Sequence, residues 1–262
     1  GHPSRPVVLL SHSHFCDHSM WSPQIDVLKE HYRVIAYDTR GHGSSQGPEG
    51  DYTLEELADD VRQLIDWLDL DKVHFVGLSL GGMIGMTFAL QAPERLHSLL
   101  LCDTAAEMPE SVWTDRIATA RSKGLSPLIE PTMKRWFTEG FRIRSPETVS
   151  AMSHVAAGTT VTGYLGCAEA IRAMRLAEKI REIDLPTRVI VGAEDPATPV
   201  SAATQISDAI ESADLVVIDD AAHLANLEQP EKFTAAMLEF LNENTVGDEY
   251  KGLRTPALQK GP

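Results

Sequence analysis

Six short apolar runs recur along the chain: PVVLLSH (6–12), YRVIAYD (32–38), VHFVGLS (73–79), LHSLLLCD (96–103), TRVIVGA (187–193) and ADLVVIDD (213–220). Their polar positions do not alternate with the apolar ones. Such near-continuous runs read as strands buried on both faces of a mostly parallel sheet. Helical patterns lie between them. Residues 53–68 open with Thr53 and Glu56 at capping-box spacing. Leu54, Leu57, Val61, Leu64, Ile65 and Leu68 then fall on one helical face. Residues 82–91 and 230–242 read as further helices, the latter with Pro230 in its first turn. The pattern predicts an α/β fold, a mostly parallel sheet flanked by helices.

One interval breaks this rhythm. Residues 108–180 hold no clear strand, only short amphipathic helical segments containing Trp113 and Trp136. They read as a helical insertion that divides the α/β core into residues 1–107 and 181–243. The last stretch, 244–262, is polar with Gly and Pro and is expected to be a mobile tail. There is neither an internal repeat nor a low-complexity segment.

Composition narrows the function classes. A chain of 262 residues, 43 % hydrophobic, can bury a full α/β core. Its 38 acidic and 23 basic residues give a net charge of −15, which repels phosphate backbones and anionic membranes. Neither nucleic acid nor a membrane is therefore expected as a partner, whereas homo-oligomer formation stays open. An anionic substrate would need a local cation. Cys16, Cys102 and Cys167 are odd in number and widely spaced, so a reducing, cytoplasmic setting is expected. No apolar run approaches the roughly 20 residues of a membrane span, and no signal peptide is visible. The chain begins Gly1-His2-Pro3 without Met, which leaves room for a removed N-terminal segment.

Two stretches compete as the chemical centre. Residues 8–21 gather His12, His14, Cys16, Asp17 and His18, the residue types of a metal site or a Cys-His pair. Residues 74–82, HFVGLSLGG, contain Gly77-Leu78-Ser79-Leu80-Gly81, a G-x-S-x-G. Chance alone produces that string in about one chain in ten. Its context is more telling, because an apolar strand ends at Ser79 and a helical pattern follows, as a nucleophile elbow requires. A serine needs a base, and in such an arrangement the order is Ser, acid, His. Asp195 and His223 each follow a strand and complete that order. Asp103 and Glu194 are rival acids. The backbone N–H of Leu80 and one from the loop after the first strand would bind the oxyanion. With nucleophile, base and acid supplied elsewhere, His12, His14 and His18 lack the logic of an open metal site, so no metal is expected.

GLSLGG around Ser79, YDTRGHGSS (37–45), GAEDPATP (192–199) and AAHLANLEQP (221–230) make the chain similar to the α/β-hydrolase family. SMWSPQI (19–25), APERL (92–96) and RWF (135–137) resemble the 3-oxoadipate enol-lactonase branch and its esterase relatives. The resemblance covers about residues 6–243 and implies a cofactor-free hydrolase of a small ester or lactone, with residues 108–180 as a helical cap. It carries the triad onto Ser79, Asp195 and His223, and the second oxyanion donor onto the His14 N–H. In two respects the chain departs from the family. It starts just before the family's third strand, and the usual His-Gly-x oxyanion turn reads His12-Ser13-His14.

A lactone bearing a carboxylate would need a pocket cation, for which Arg135 beside Trp136 is the candidate, with Phe15 also lining the site. The competing reading makes Lys134-Arg135 a solvated helix face and Trp113 and Trp136 cap core. Perhydrolysis or C–C bond hydrolysis with the same triad, and a ligand-binding receptor on the same fold, are the alternatives in function. Epoxide and haloalkane hydrolysis are disfavoured because those relatives carry Asp at the position of Ser79.

Overall fold

The computed structural model describes residues 1–245. Six strands form one parallel sheet: β1 (Val7–Ser11), β2 (Arg33–Tyr37), β3 (Val73–Leu78), β4 (Leu96–Cys102), β5 (Thr187–Gly192) and β6 (Ala213–Ile218). All six apolar runs are strands. Each is one or two residues shorter than its run. The order is β2-β1-β3-β4-β5-β6. One expectation needs correction. β1, β3 and β5 are buried throughout, but β2 and β6 are only partly buried. They are the sheet edges, and an apolar run looks alike at an edge and at the centre.

The helices are α1 (Ser22–Leu28), α2 (Leu54–Trp67), α3 (Leu80–Gln91), α4 (Glu110–Lys123), α5 (Ser126–Trp136), α6 (Glu139–Arg144), α7 (Pro146–Gly158), α8 (Val161–Ala173), α9 (Val200–Ala209), α10 (Ala225–Glu228) and α11 (Pro230–Glu243). In α2 the capping box forms in both directions. Glu56 N donates to Thr53 Oγ1 at 3.1 Å, and Thr53 N donates to Glu56 Oε2 at 2.8 Å. Its buried face is Leu54, Leu57, Ala58, Val61 and Ile65. α3 starts at Leu80 rather than residue 82, because the turn after β3 passes directly into the helix. It is buried on every side from Leu80 to Ala89. Periodicity did not single out α1 or α9.

Between β4 and β5 the chain forms α4 to α8, with no strand among the described residues there. Most of the tail expected from residue 244 lies outside the described residues. Asn244 and Thr245 do not begin it, since both cap α11: Asn244 N donates to Phe240 O and Thr245 Oγ1 to Leu241 O.

Strand order also locates a site. The chain winds one way from β1 to β2 and the other way from β3 onward, so the connections leave β1 and β3 in opposite directions. The crevice beyond the carboxyl ends of such a pair is where open α/β sheets bind ligands. The loop after β1 and the turn after β3 meet there.

Candidate active site

The turn after β3 places Ser79 at φ 56°, ψ −114°, a strained conformation for a residue with a Cβ. Three contacts hold it. Ser79 N donates to Cys102 O at 2.9 Å, Met83 N donates to Ser79 O at 3.0 Å, and Thr104 Oγ1 donates to the same carbonyl at 2.7 Å. The motif glycines are explained by crowding. A Cβ on Gly77 would strike the Gly81 carbonyl, and one on Gly81 would strike Ser11 of β1. The elbow is thus folded tightly on itself and against the end of β1, and Ser79 lines a cavity with His223.

His223 and Asp195 come from the loops after β6 and β5. His223 Nδ1 and Asp195 Oδ2 lie 2.8 Å apart, both residues buried. The second carboxylate oxygen accepts the N–H groups of Ala197 (2.7 Å) and Thr198 (3.1 Å), while Thr198 Oγ1 donates to Oδ2 at 2.7 Å. Burial opposes the charge on Asp195, but His223 and the Thr198 donors outweigh it and hold the carboxyl below its usual range. A carboxylate so fixed orients the imidazole with Nδ1–H towards Asp195, leaving Nε2 as the basic nitrogen.

Asp103, the rival acid, differs. Its Oδ1 accepts Gly192 N–H at 2.7 Å, and Oδ2 has no partner among the described residues. Burial first, and then the charge of Asp195, push its carboxyl well above the usual range. Glu194 donates its main-chain N–H to Ala221 O at 2.9 Å.

The stretch 12–18 is a scaffold for backbone. His12 Nε2 accepts Thr39 N–H at 2.8 Å, so its Nδ1–H donates to Ser13 O at 2.8 Å. His42 Nε2 accepts Phe15 N–H at 3.2 Å and Nδ1–H donates to Arg40 O. That bond steadies Phe15 at φ 70°, a conformation unusual for a large side chain. His14 Nε2–H donates to Tyr164 O at 3.0 Å, and burial drives its pKa down to about 3. His18 Nδ1 lies 2.7 Å from Asp38, which also accepts Ser44 N–H. Cys16 is buried, and burial pushes its thiol up, away from the thiolate a nucleophile requires. Among the described residues no three His, Cys, Asp or Glu side chains are grouped to hold a metal. The N–H groups of His14 and Leu80 have no acceptor among the described residues, and both His14 and Ser79 line the cavity.

The insertion supplies the other wall: Met108, Trp113, Arg116, Thr132, Arg135, Trp136 and Tyr164. Phe15, Arg135 and Trp136, the residues expected to contact substrate, line this cavity. Lys134, the neighbour of Arg135, instead pairs with Glu130 on the exposed side of α5. Arg135 donates to Thr132 Oγ1 at 2.8 Å, and Arg116 stacks over Trp113 with its guanidinium 4.7 Å from the ring centre. Neither arginine has an acidic partner among the described residues. Burial lowers the pKa of both, and burial with the charge of Arg116 brings Arg135 to about 10. Sequence reasoning missed Arg116, Tyr164 and Thr198. The spacing Trp113-x-x-Arg116 was the available signal, since it puts both side chains on one helix face.

The arrangement combines a strained serine, a carboxylate-oriented imidazole, two free N–H donors and two uncompensated cations around one cavity. Residues 6–230 match a family described as alpha/beta hydrolase fold. The chain is 37 % identical over 238 residues to 3-oxoadipate enol-lactonase 2 of Acinetobacter baylyi, covering 90 % of this chain and 89 % of that protein. Among solved structures it resembles the enol-lactonase from Burkholderia xenovorans, with TM-score 0.89, 37 % identity and 92 % of each chain covered. It also resembles a thermophilic esterase from Thermogutta terrifontis solved with malate bound, with TM-score 0.87, 30 % identity, and 92 % and 91 % of the chains covered.

Proposed function

The chain belongs to the alpha/beta hydrolase fold family, and from that membership we propose that it hydrolyses carboxylic esters and lactones through an acyl-enzyme on Ser79. The observation that carries the reading is the 2.8 Å His223–Asp195 contact in a cavity shared with a strained Ser79. Ser79 Oγ attacks the carbonyl as His223 Nε2 takes its proton, and Asp195 stabilises the resulting imidazolium. The His14 and Leu80 N–H groups receive the oxyanion. His223 then protonates the leaving oxygen, which in a lactone stays tethered to the acyl group. Water, deprotonated by the same imidazole, releases the acid. These steps draw on side chains, backbone and water, and require no metal or cofactor.

The substrate class follows from charge. Two half-buried guanidiniums without acidic partners, in a chain of net charge −15, favour a ligand that brings its own carboxylate. The helices α4 to α8 act as a cap that presents Arg116 and Arg135 to that carboxylate. The enol-lactonase relatives and the malate-bound esterase support an anionic small molecule. Three unpaired cysteines support a reducing, cytoplasmic setting.

The test is a hydrolysis panel of neutral esters, plain lactones and carboxylate-bearing enol-lactones, run beside fluorophosphonate labelling. Labelling of Ser79, loss of turnover in Ser79→Ala and preference for the carboxylate-bearing lactone are expected. Undiminished turnover in Ser79→Ala would overturn the reading.

A further inference from the structure

We propose that Glu228 is a positioning residue: it clasps the His223 loop to the cap, so that the base and the substrate-binding wall are held as one unit. The proposal rests on the serine-hydrolase reading for its kinetic consequence, but on hydrogen bonds alone for the clasp. Glu228 ends α10 and is buried. One carboxylate oxygen accepts Ala222 N–H at 2.6 Å, the residue before His223. The other accepts Thr138 N–H at 2.6 Å, ninety positions away, just past the end of α5. A third bond runs alongside, from Leu224 N to Trp136 O at 3.0 Å. The residues on either side of His223 are thus tied to the segment carrying Arg135 and Trp136, which line the cavity.

The contacts are short, as expected of N–H groups donating to a charged oxygen. Glu228 has no cationic partner among the described residues, and its two side-chain oxygens are each matched to a main-chain N–H. Burial pushes its carboxyl up while the Ala222 and Thr138 donors pull it down. The geometry asks for two acceptors in one side chain. Glutamine offers one, and its amide NH2 would face the other N–H. A purely structural residue would affect stability without coupling the motion of the two segments.

The experiment compares the full-length wild type with Glu228→Gln, and Thr138→Pro with Thr138→Ala. Thr138 has φ −59°, which proline adopts, so Thr138→Pro removes both the N–H and the hydroxyl that caps α6 and bonds Glu228, whereas Thr138→Ala removes the hydroxyl alone; the difference between them isolates the N–H. The readouts are the rate of Ser79 labelling by a fluorophosphonate, kcat and KM on one ester, and amide exchange of peptides covering 136–140 and 219–226. Glu228→Gln should slow labelling and lower kcat by about tenfold or more, and should speed exchange in both peptides together. Thr138→Pro should reproduce this, and more strongly than Thr138→Ala. Kinetics within about twofold of wild type, exchange gained in one peptide only, or equal effects of the two Thr138 variants would overturn the clasp. If Glu228→Gln does not fold, the Thr138 pair decides alone. If the wild type is not labelled, the serine-hydrolase reading fails while the exchange comparison still decides the clasp.

Discussion

The two walls of the cavity are built on opposite principles. On the strand-edge side nearly every polar group is matched. Asp195 is held by His223, Thr198 and Ala197, and His12 and His42 spend both ring nitrogens on backbone. On the cap side Arg116 and Arg135 carry charge without an acid to meet it. Matched groups fix geometry before substrate arrives, as catalysis requires. Unmatched charges raise the energy of the empty site and are relieved by a ligand of the right sign. The first wall should therefore govern rate, and the second should govern choice of substrate.

The largest break in that comparison is Ser79→Ala, expected to lower kcat by about 10⁶ on every substrate. Next is Asp195→Asn, which leaves the imidazole in the wrong tautomer and should lower kcat by about 10⁴. Both are read by steady-state ester hydrolysis and should act alike on neutral and anionic substrates.

Acid should attack the strand-edge wall through its histidines. Burial holds His12, His14 and His42 neutral in the fold, whereas the unfolded chain protonates them near pH 6.5. Below that pH the unfolded state binds more protons, so stability falls as pH falls. For His14 the loss continues towards pH 3. His14 should contribute up to about 1.4 kcal/mol of loss per pH unit between pH 6.5 and pH 3, and His12 and His42 act in the same direction. Urea unfolding at pH 7.5 and pH 5.5 measures it, and equal midpoints would contradict the neutral assignment.

Arg116→Ala and Arg135→Ala sharpen the other half of the comparison. Losing one charge-assisted contact should cost about 10- to 100-fold in kcat/KM on a carboxylate-bearing lactone. A neutral ester should change far less. Equal losses on both substrates would make the arginines structural. The smallest effect belongs to Asp103→Asn. Burial pushes the Asp103 carboxyl up and its 2.7 Å bond is to Gly192 N–H rather than to His223, so an isosteric amide should leave kcat within a few-fold, in contrast to Asp195→Asn.

The same division explains what could be read from the chain. Ser79, Asp195 and His223 each stand just past an apolar run, so their place at the carboxyl edge followed from strand ends and chain order. Burial at β2 and β6 did not follow, because edge position depends on pairing rather than on local composition. Arg116 was hidden because α4 mixes charged and apolar residues without a clear face, and a half-buried arginine there reads like a solvated one. Glu228 was hidden because its partner Thr138 lies ninety positions away. The histidines of residues 12–18 are the opposite case, a cluster set aside because nucleophile, base and acid stood elsewhere. Their sequence proximity imitates a metal site, whereas their nitrogens are turned to Ser13, Thr39, Tyr164 and Asp38.

The central claim is that the chemistry passes through a covalent bond to Ser79. Its most direct test is acid quenching during turnover of an activated carboxylic ester, followed by peptide mass mapping. An acyl adduct is expected on the peptide containing Ser79 in the wild type and none in Ser79→Ala. Turnover without an adduct on that peptide, undiminished in Ser79→Ala, would contradict it.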